Sequence, residues 1–189
     1  MGDQAGIAVV GSGYVGTVVA ACLASVGHRV YGVEIDPERL ERLRLGDVPF
    51  YEPGLNDVVR EAVDSGRLTF TDNYGDALAV TDVVFLCVDT PPGDNGHPDM
   101  SSVGAAARSI GRAMDRPHVL VTKSTVPVGS GRWLQTTIEN ELPEGTDPHI
   151  FSVVSNPEFL REGSAVADFL YPERIVLGGD DPAAIDRVA

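Results

Sequence analysis

Short apolar runs alternate along this chain with segments of helical period. Strands are expected over 6–10, 29–35, 68–71, 82–88, 118–124, 151–155 and 174–177, where Val, Ile and Leu crowd together without polar alternation. Such runs suit strands buried on both faces of a parallel sheet. Between the first two, Val15, Val18, Val19, Cys22, Leu23 and Val26 recur at the i, i+3, i+4, i+7 spacing of an amphipathic helix, and Gly27 supplies its stop. Further helices are expected over 37–45, 54–65, 102–114 and 130–141, and a last one from Pro182. Strand and helix in alternation predict an α/β fold, a Rossmann-like doubly wound and mostly parallel sheet with helices on both faces. No repeat, low-complexity tract or linker divides the 189 residues, so one domain is expected. The last helical pattern reaches only Ala189, and continuation into a longer protein is the expectation.

Composition narrows the function classes. Lys and Arg number 14 against 28 Asp and Glu, a net charge of −14. An acidic surface argues against nucleic acid or an anionic membrane as partner, because phosphate binding needs cations. Lys123 is the sole lysine, a bias that fits either a saline cytoplasm or a GC-rich genome. No apolar run approaches the ~20 residues of a membrane span. Met1-Gly2-Asp3-Gln4 lacks the basic-then-apolar pattern of a leader, so a cytoplasmic location is expected. Cys22 and Cys87 sit in apolar surroundings and read as reduced core residues, and no metal site is expected.

Candidate chemistry begins at the first turn. A strand over 6–10 leads into Gly11-Ser12-Gly13-Tyr14-Val15-Gly16 and then the amphipathic helix. This G-x-G-x-x-G context is that of a dinucleotide-binding turn. Gly11 permits the tight turn, Gly13 lets backbone approach a pyrophosphate, and Gly16 lets helix pack on strand. The helix start offers free N–H groups and a positive dipole end. Glu34 follows Gly11 by about the ~20 positions expected for a carboxylate on the adenosine ribose, which favours NAD over NADP. Asp36 competes for that role, but it precedes Pro37 and could cap the next helix instead. Arg39 reaches the same ribose or is a solvated helix arginine.

Four more segments carry polar residues at expected strand or helix ends. They are Pro49-Phe50-Tyr51-Glu52-Pro53-Gly54-Leu55, Cys87-Val88-Asp89-Thr90-Pro91-Pro92-Gly93, Lys123-Ser124-Thr125-Val126-Pro127-Val128-Gly129, and Ser155-Asn156-Pro157-Glu158-Phe159-Leu160-Arg161-Glu162-Gly163. Each has a plain alternative: prolines that end strands, an Asn-Pro turn, or Glu158 and Glu162 as one solvated helical face at i, i+4. In open α/β sheets, however, ligands bind beyond the carboxyl ends of the strands, so several such ends converge on one crevice.

In order, and over essentially the whole chain, these segments resemble the nucleotide-sugar 6-dehydrogenases. Tyr171-Pro172-Glu173-Arg174-Ile175-Val176-Leu177-Gly178 fits as well. The glycine turn is generic; the Lys-Ser-Thr and Asn-Pro-Glu-Phe-Leu segments are specific. The resemblance implies oxidation of C6 of UDP-glucose from alcohol to carboxylate with two NAD in succession. GDP-mannose or another nucleotide sugar is the alternative substrate. It also implies a cysteine thiol that captures the intermediate aldehyde and a thioester that water hydrolyses. By position, Gly11, Gly13, Tyr14, Val15 and Gly16 would take the pyrophosphate, and Glu34 and Arg39 the ribose. Thr90 and Thr125 would line the nicotinamide side, with Thr125 also ordering the catalytic water. Glu158 would act as base or water-orienting group, and Glu162 would sit near the nicotinamide. Phe159, Leu160 and Arg161 would meet the UDP-sugar, largely through backbone.

The chain departs from that family in one respect. A Gly-Gly-Ser-Cys-Phe-Pro-Lys-Asp type segment is absent, as are the long central helix and the second α/β domain that binds UDP. The expectation is therefore an N-terminal NAD-binding domain over 1–189, inactive alone, of a dehydrogenase that is a homodimer at full length. A self-sufficient NAD-binding module is the rival reading, but it would have no need of a sugar-facing carboxylate at Glu158.

Overall fold

A computed structural model describes residues 6–93 and 96–189; the leader reading at 1–4 lies outside the described residues. The elements are β1 (Ile7–Val10), α1 (Tyr14–Ser25), β2 (Val30–Val33), α2 (Pro37–Arg44), α3 (Leu55–Asp64), β3 (Leu68–Thr71), α4 (Tyr74–Leu78), β4 (Val83–Leu86), α5 (Ser101–Ala113), β5 (His118–Thr122), α6 (Ser130–Glu139), β6 (Phe151–Ser155), α7 (Ala165–Leu170), β7 (Gly178–Gly179) and α8 (Pro182–Val188). The strands form one sheet in the order β3-β2-β1-β4-β5-β6-β7. All pairings are parallel except β6 with β7. This is the doubly wound order, and its direction of winding reverses between β1 and β4.

The sequence pattern explains the two cores. Odd and even positions of a strand face opposite sides of the sheet. Ile7 and Val9 of β1 therefore join α1, α3, α7 and α8 on one face. Ala8 and Val10 join α4, α5 and α6 on the other. Every residue of β1, β4 and β5 is buried, as continuous apolar runs require. Among the described residues, no helix is long and apolar enough to cross a membrane.

The expected strand over 174–177 is corrected by the structure. The Val176 carbonyl accepts from the Asn156 side chain instead of entering a ladder, and Ile175 faces solvent. Pairing starts only at Gly178 and is antiparallel. Two short helices, α4 and α7, carry too few turns to show a period. Residues 156–163 form a loop rather than a helix, so Glu158 and Glu162 do not share a helical face.

Candidate functional site

The chain turns sharply after β1. Gly11 has φ +91, and a Cβ there would lie 2.8 Å from the Val88 side chain. A Cβ on Gly16 would fall 1.8 Å from the Gly11 carbonyl oxygen, so helix and turn touch only because residue 16 is glycine. Gly13 differs: its nearest neighbour would be Asp89 Oδ1 at 3.4 Å, an ordinary contact. Gly13 is also the N-cap of α1, with no side-chain cap and no acid in the first turn. The first N–H groups of α1 thus lack protein acceptors, which is the arrangement that takes an anion.

This turn lines a cavity of about 270 Å³ together with Glu34, Arg39, Tyr74 and Ser109. Glu34 is 4% exposed. Its Oε1 accepts from the Asp36 N–H at 2.8 Å and its Oε2 from Arg39 at 3.3 Å. Asp36 is exposed, and its carboxylate accepts from the Arg39 N–H at 2.9 Å as the N-cap of α2. Of the two carboxylates, Glu34 is the one aimed into the cavity.

A smaller cavity of about 90 Å³ adjoins it and shares Cys87, Val88 and Asp89 as wall. Val15, Thr90, Lys123, Ser124, Thr125 and Glu158 complete its lining. The loops after β4, β5 and β6 therefore meet the glycine turn at one opening, on the carboxyl edge where the winding reverses. Glu158 Oε2 accepts from the Leu160 N–H at 2.7 Å, which curls the loop and fixes the carboxylate. Arg161 is bound to Asp168 through its guanidinium at 2.6 Å and through its own N–H at 3.0 Å. The N–H groups of Leu160 and Arg161 are thus held by side chains of the same segment, the Arg161 carbonyl accepts from the Ser164 N–H at 3.0 Å, and the ring of Phe159 is exposed. Glu162 is exposed on the same loop and lines neither cavity.

Two residues quoted within motifs but given no role prove central. Lys123 is buried, donates to Asn156 Oδ1 at 3.0 Å and lies 5.9 Å from the Phe169 ring centroid. Burial pushes its ammonium pKa down, while Cys87 and Glu158 pull it back up. Its solitary occurrence was the available signal. Glu52 is a buried carboxylate that accepts from Tyr14, Gly163 and Ala165. Nothing in its spacing announces partners more than a hundred residues away. Cys22 and Cys87 are both buried, and burial pushes each thiol up to about 12, so neither is poised as a nucleophile.

Comparison with known proteins agrees with this geometry. Residues 5–189 match the model of the UDP-glucose/GDP-mannose dehydrogenase family, NAD binding domain. A UDP-glucose 6-dehydrogenase of Rhizobium meliloti is 48% identical over 176 residues, 92% of this chain and 39% of that protein. One from Pseudomonas aeruginosa is 44% identical over 178 residues, 94% of this chain and 39% of that protein. A solved UDP-glucose dehydrogenase from Pyrobaculum islandicum superposes with a TM-score of 0.92 at 45% identity, covering 98% of this chain and 43% of that one. The chain thus spans about two fifths of the length of the relatives it matches.

Proposed function

Because the chain belongs to the UDP-glucose/GDP-mannose dehydrogenase family, as its NAD-binding domain, we propose that it is the cofactor-holding part of an enzyme oxidising C6 of UDP-glucose to the carboxylate. The observation that carries this reading is the shared wall at Cys87–Val88–Asp89. It joins the cavity holding the glycine turn and Glu34 to the one holding Thr90, Thr125 and Glu158. Bound NAD supplies the hydride acceptor in each of two oxidations. The free N–H groups of α1 bind the pyrophosphate, and Glu34 with Arg39 accepts and frames the adenosine ribose. Thr90 and Thr125 flank the nicotinamide end, and Glu162 lies at its rim.

Glu158, held by the Leu160 N–H, is the group that orients water or removes its proton when the acyl intermediate is hydrolysed. Thr125 assists by ordering that water. Phe159, Leu160 and Arg161 meet the sugar nucleotide, Phe159 with its exposed aromatic face. The aldehyde-capturing thiol comes from outside this segment, as does the domain that reads UDP, because Cys22 and Cys87 are both buried with raised pKa values. We place the working enzyme in the cytoplasm, as a homodimer. A sugar-facing carboxylate at Glu158 favours the enzyme over a stand-alone NAD-binding module.

Calorimetric titration tests the cofactor part: NAD is expected to bind measurably and NADP much more weakly. Absorbance of NADH tests the rest, with no turnover of UDP-glucose expected from residues 1–189. Failure to bind NAD, or robust oxidation by the chain alone, overturns the reading.

A further inference from the structure

Two segments remote in sequence converge on one carboxylate that the proposed chemistry does not use. Glu52, in the loop before α3, is 5% exposed. Its Oε2 accepts from the phenol of Tyr14 and from the Gly163 N–H at 2.8 Å; its Oε1 accepts from the Ala165 N–H at 2.9 Å. Tyr14 is the first residue of α1, within the turn assigned to the pyrophosphate. Its ring also packs against Phe50, with centroids 5.2 Å apart. Gly163 ends the sugar-facing loop and Ala165 opens α7, and Gly163 has φ +88, a conformation that favours glycine. One buried group therefore bridges the cofactor turn to the last residues of the loop that carries Glu158, Phe159 and Glu162.

We propose that Glu52 is a positioning residue that couples the two halves of the site, so that docking of the dinucleotide on the turn orders the loop that receives the sugar. The inference rests on the reading of the glycine turn as the pyrophosphate site. Its physical basis is rigidity at both ends. An anion on the N-terminus of α1 fixes the first helical turn and with it the Tyr14 ring. The phenol, donating to a carboxylate with little freedom of its own, restricts Glu52. Bonds to an ionised acceptor are the strong ones, so the restriction passes to the Gly163 and Ala165 amides. Each of these amides donates to Glu52, and each is an individual reporter.

The test is amide hydrogen exchange by NMR on the 189-residue chain, with and without saturating NAD. In the unaltered chain NAD is expected to slow exchange at Gly163 and Ala165 by at least about fivefold, the low end of ordinary coupling between sites. In Tyr14→Phe, which leaves Glu52 and its two amide bonds in place, saturating NAD is expected to slow them by less than about twofold. Glu52→Gln, still able to accept one bond, is expected to fall between. A purely structural clasp would lower the melting temperature of these variants and leave the NAD-dependent gain intact. The proposal is overturned if saturated Tyr14→Phe keeps the full gain, or if NAD binds the unaltered chain and the two amides do not respond. No binding of NAD at all would instead overturn the reading of the turn.

Discussion

Removing the Glu34 carboxylate is expected to weaken NAD far more than removing that of Asp36, although both lie at the end of β2. Glu34 is buried and lines the larger of the two adjoining cavities, and with one accepted bond at each oxygen, from Asp36 and Arg39, its carboxylate retains capacity to accept more. A hydrogen bond to a charged group contributes about 1.5–3 kcal/mol. Two ribose hydroxyls donating there, less the rearrangement of Arg39, put the loss in Glu34→Ala at about 2–3 kcal/mol, or roughly 30- to 150-fold in affinity. Asp36 is exposed and caps α2, so Asp36→Ala costs about 1 kcal/mol of stability, a drop of about 2–4 °C in melting temperature. Its NAD affinity is expected to stay within about threefold. Glu34→Ala also releases Arg39, whose planar fork suits a 2′-phosphate, so discrimination against NADP is expected to narrow. Calorimetric titration of both variants with NAD and NADP, beside thermal melts, reads all of this. Equal loss of NAD affinity in Asp36→Ala, or near-normal binding in Glu34→Ala, refutes the reasoning.

The last two glycines of the turn should fail in different ways. Gly16→Ala places a methyl 1.8 Å from the Gly11 carbonyl and is expected to destabilise the fold by about 3 kcal/mol or more, seen as a loss of urea midpoint. Gly13→Ala meets nothing closer than 3.4 Å and is expected to melt near the parent while binding NAD about tenfold more weakly, because a methyl at the N-cap of α1 would crowd a pyrophosphate bound there. Acid should expose the Glu52 clasp. Burial pushes this carboxyl up, but the bonds from Tyr14, Gly163 and Ala165 outweigh it and hold it below its usual range. A depressed folded pKa stabilises above the unfolded value and loses that contribution as pH falls through the folded one, so stability should decline below about pH 5. Urea titrations at several pH values are expected to show a shallower decline in Glu52→Gln; equal slopes would remove Glu52 from the account. Finally, a net charge of −14 repels itself across the surface. Raising KCl from about 0.1 M to about 1 M shortens the screening length from about 10 Å to about 3 Å and is expected to raise the melting temperature by several degrees. A flat response would mean that the charges are already locally compensated.

The sheet was legible because continuous Val, Ile and Leu runs have few other uses. Strands β3 and β6 fall at the expected residues, and the helical period of Val15 to Val26 marks α1. The same rule misled at Ile175-Val176-Leu177, where Ile175 and Val176 lie exposed and Val176 lends its carbonyl to Asn156. Periodicity has no access to that side-chain bond. Helix α4 escaped because its start signal, the Asn73 cap on Asp76, precedes only five residues. In the site, residues set by local geometry were readable: Gly11 and Gly16 by sterics, and Glu34 by its distance from the turn. Residues set by long-range convergence were not. Glu52 meets its partners 38, 111 and 113 positions away, and Lys123 meets Asn156 at a separation of 33.

Buried polar groups at the two edges of the sheet are engaged differently. At the amino edge, Thr81 donates to the Ala77 carbonyl, and one ring nitrogen of His118 donates to a backbone carbonyl, that of Arg116 or Leu78 according to the tautomer. Such groups are closed within the protein, as burial demands, save the buried Nδ1 of His28 beside β2, which has no partner among the described residues. At the carboxyl edge, Lys123 has three donors and one side-chain acceptor, Asn156, while Glu34 has one bond accepted at each oxygen and lines a cavity. Holding such groups with unfilled capacity costs stability, and a fold without a ligand there would gain by replacing them with apolar residues. Glu52 lies on the ligand side of the molecule yet is filled by its three donors. A carboxylate so satisfied has little left to offer a ligand, which is why its place in the site is that of a joint between two binding segments.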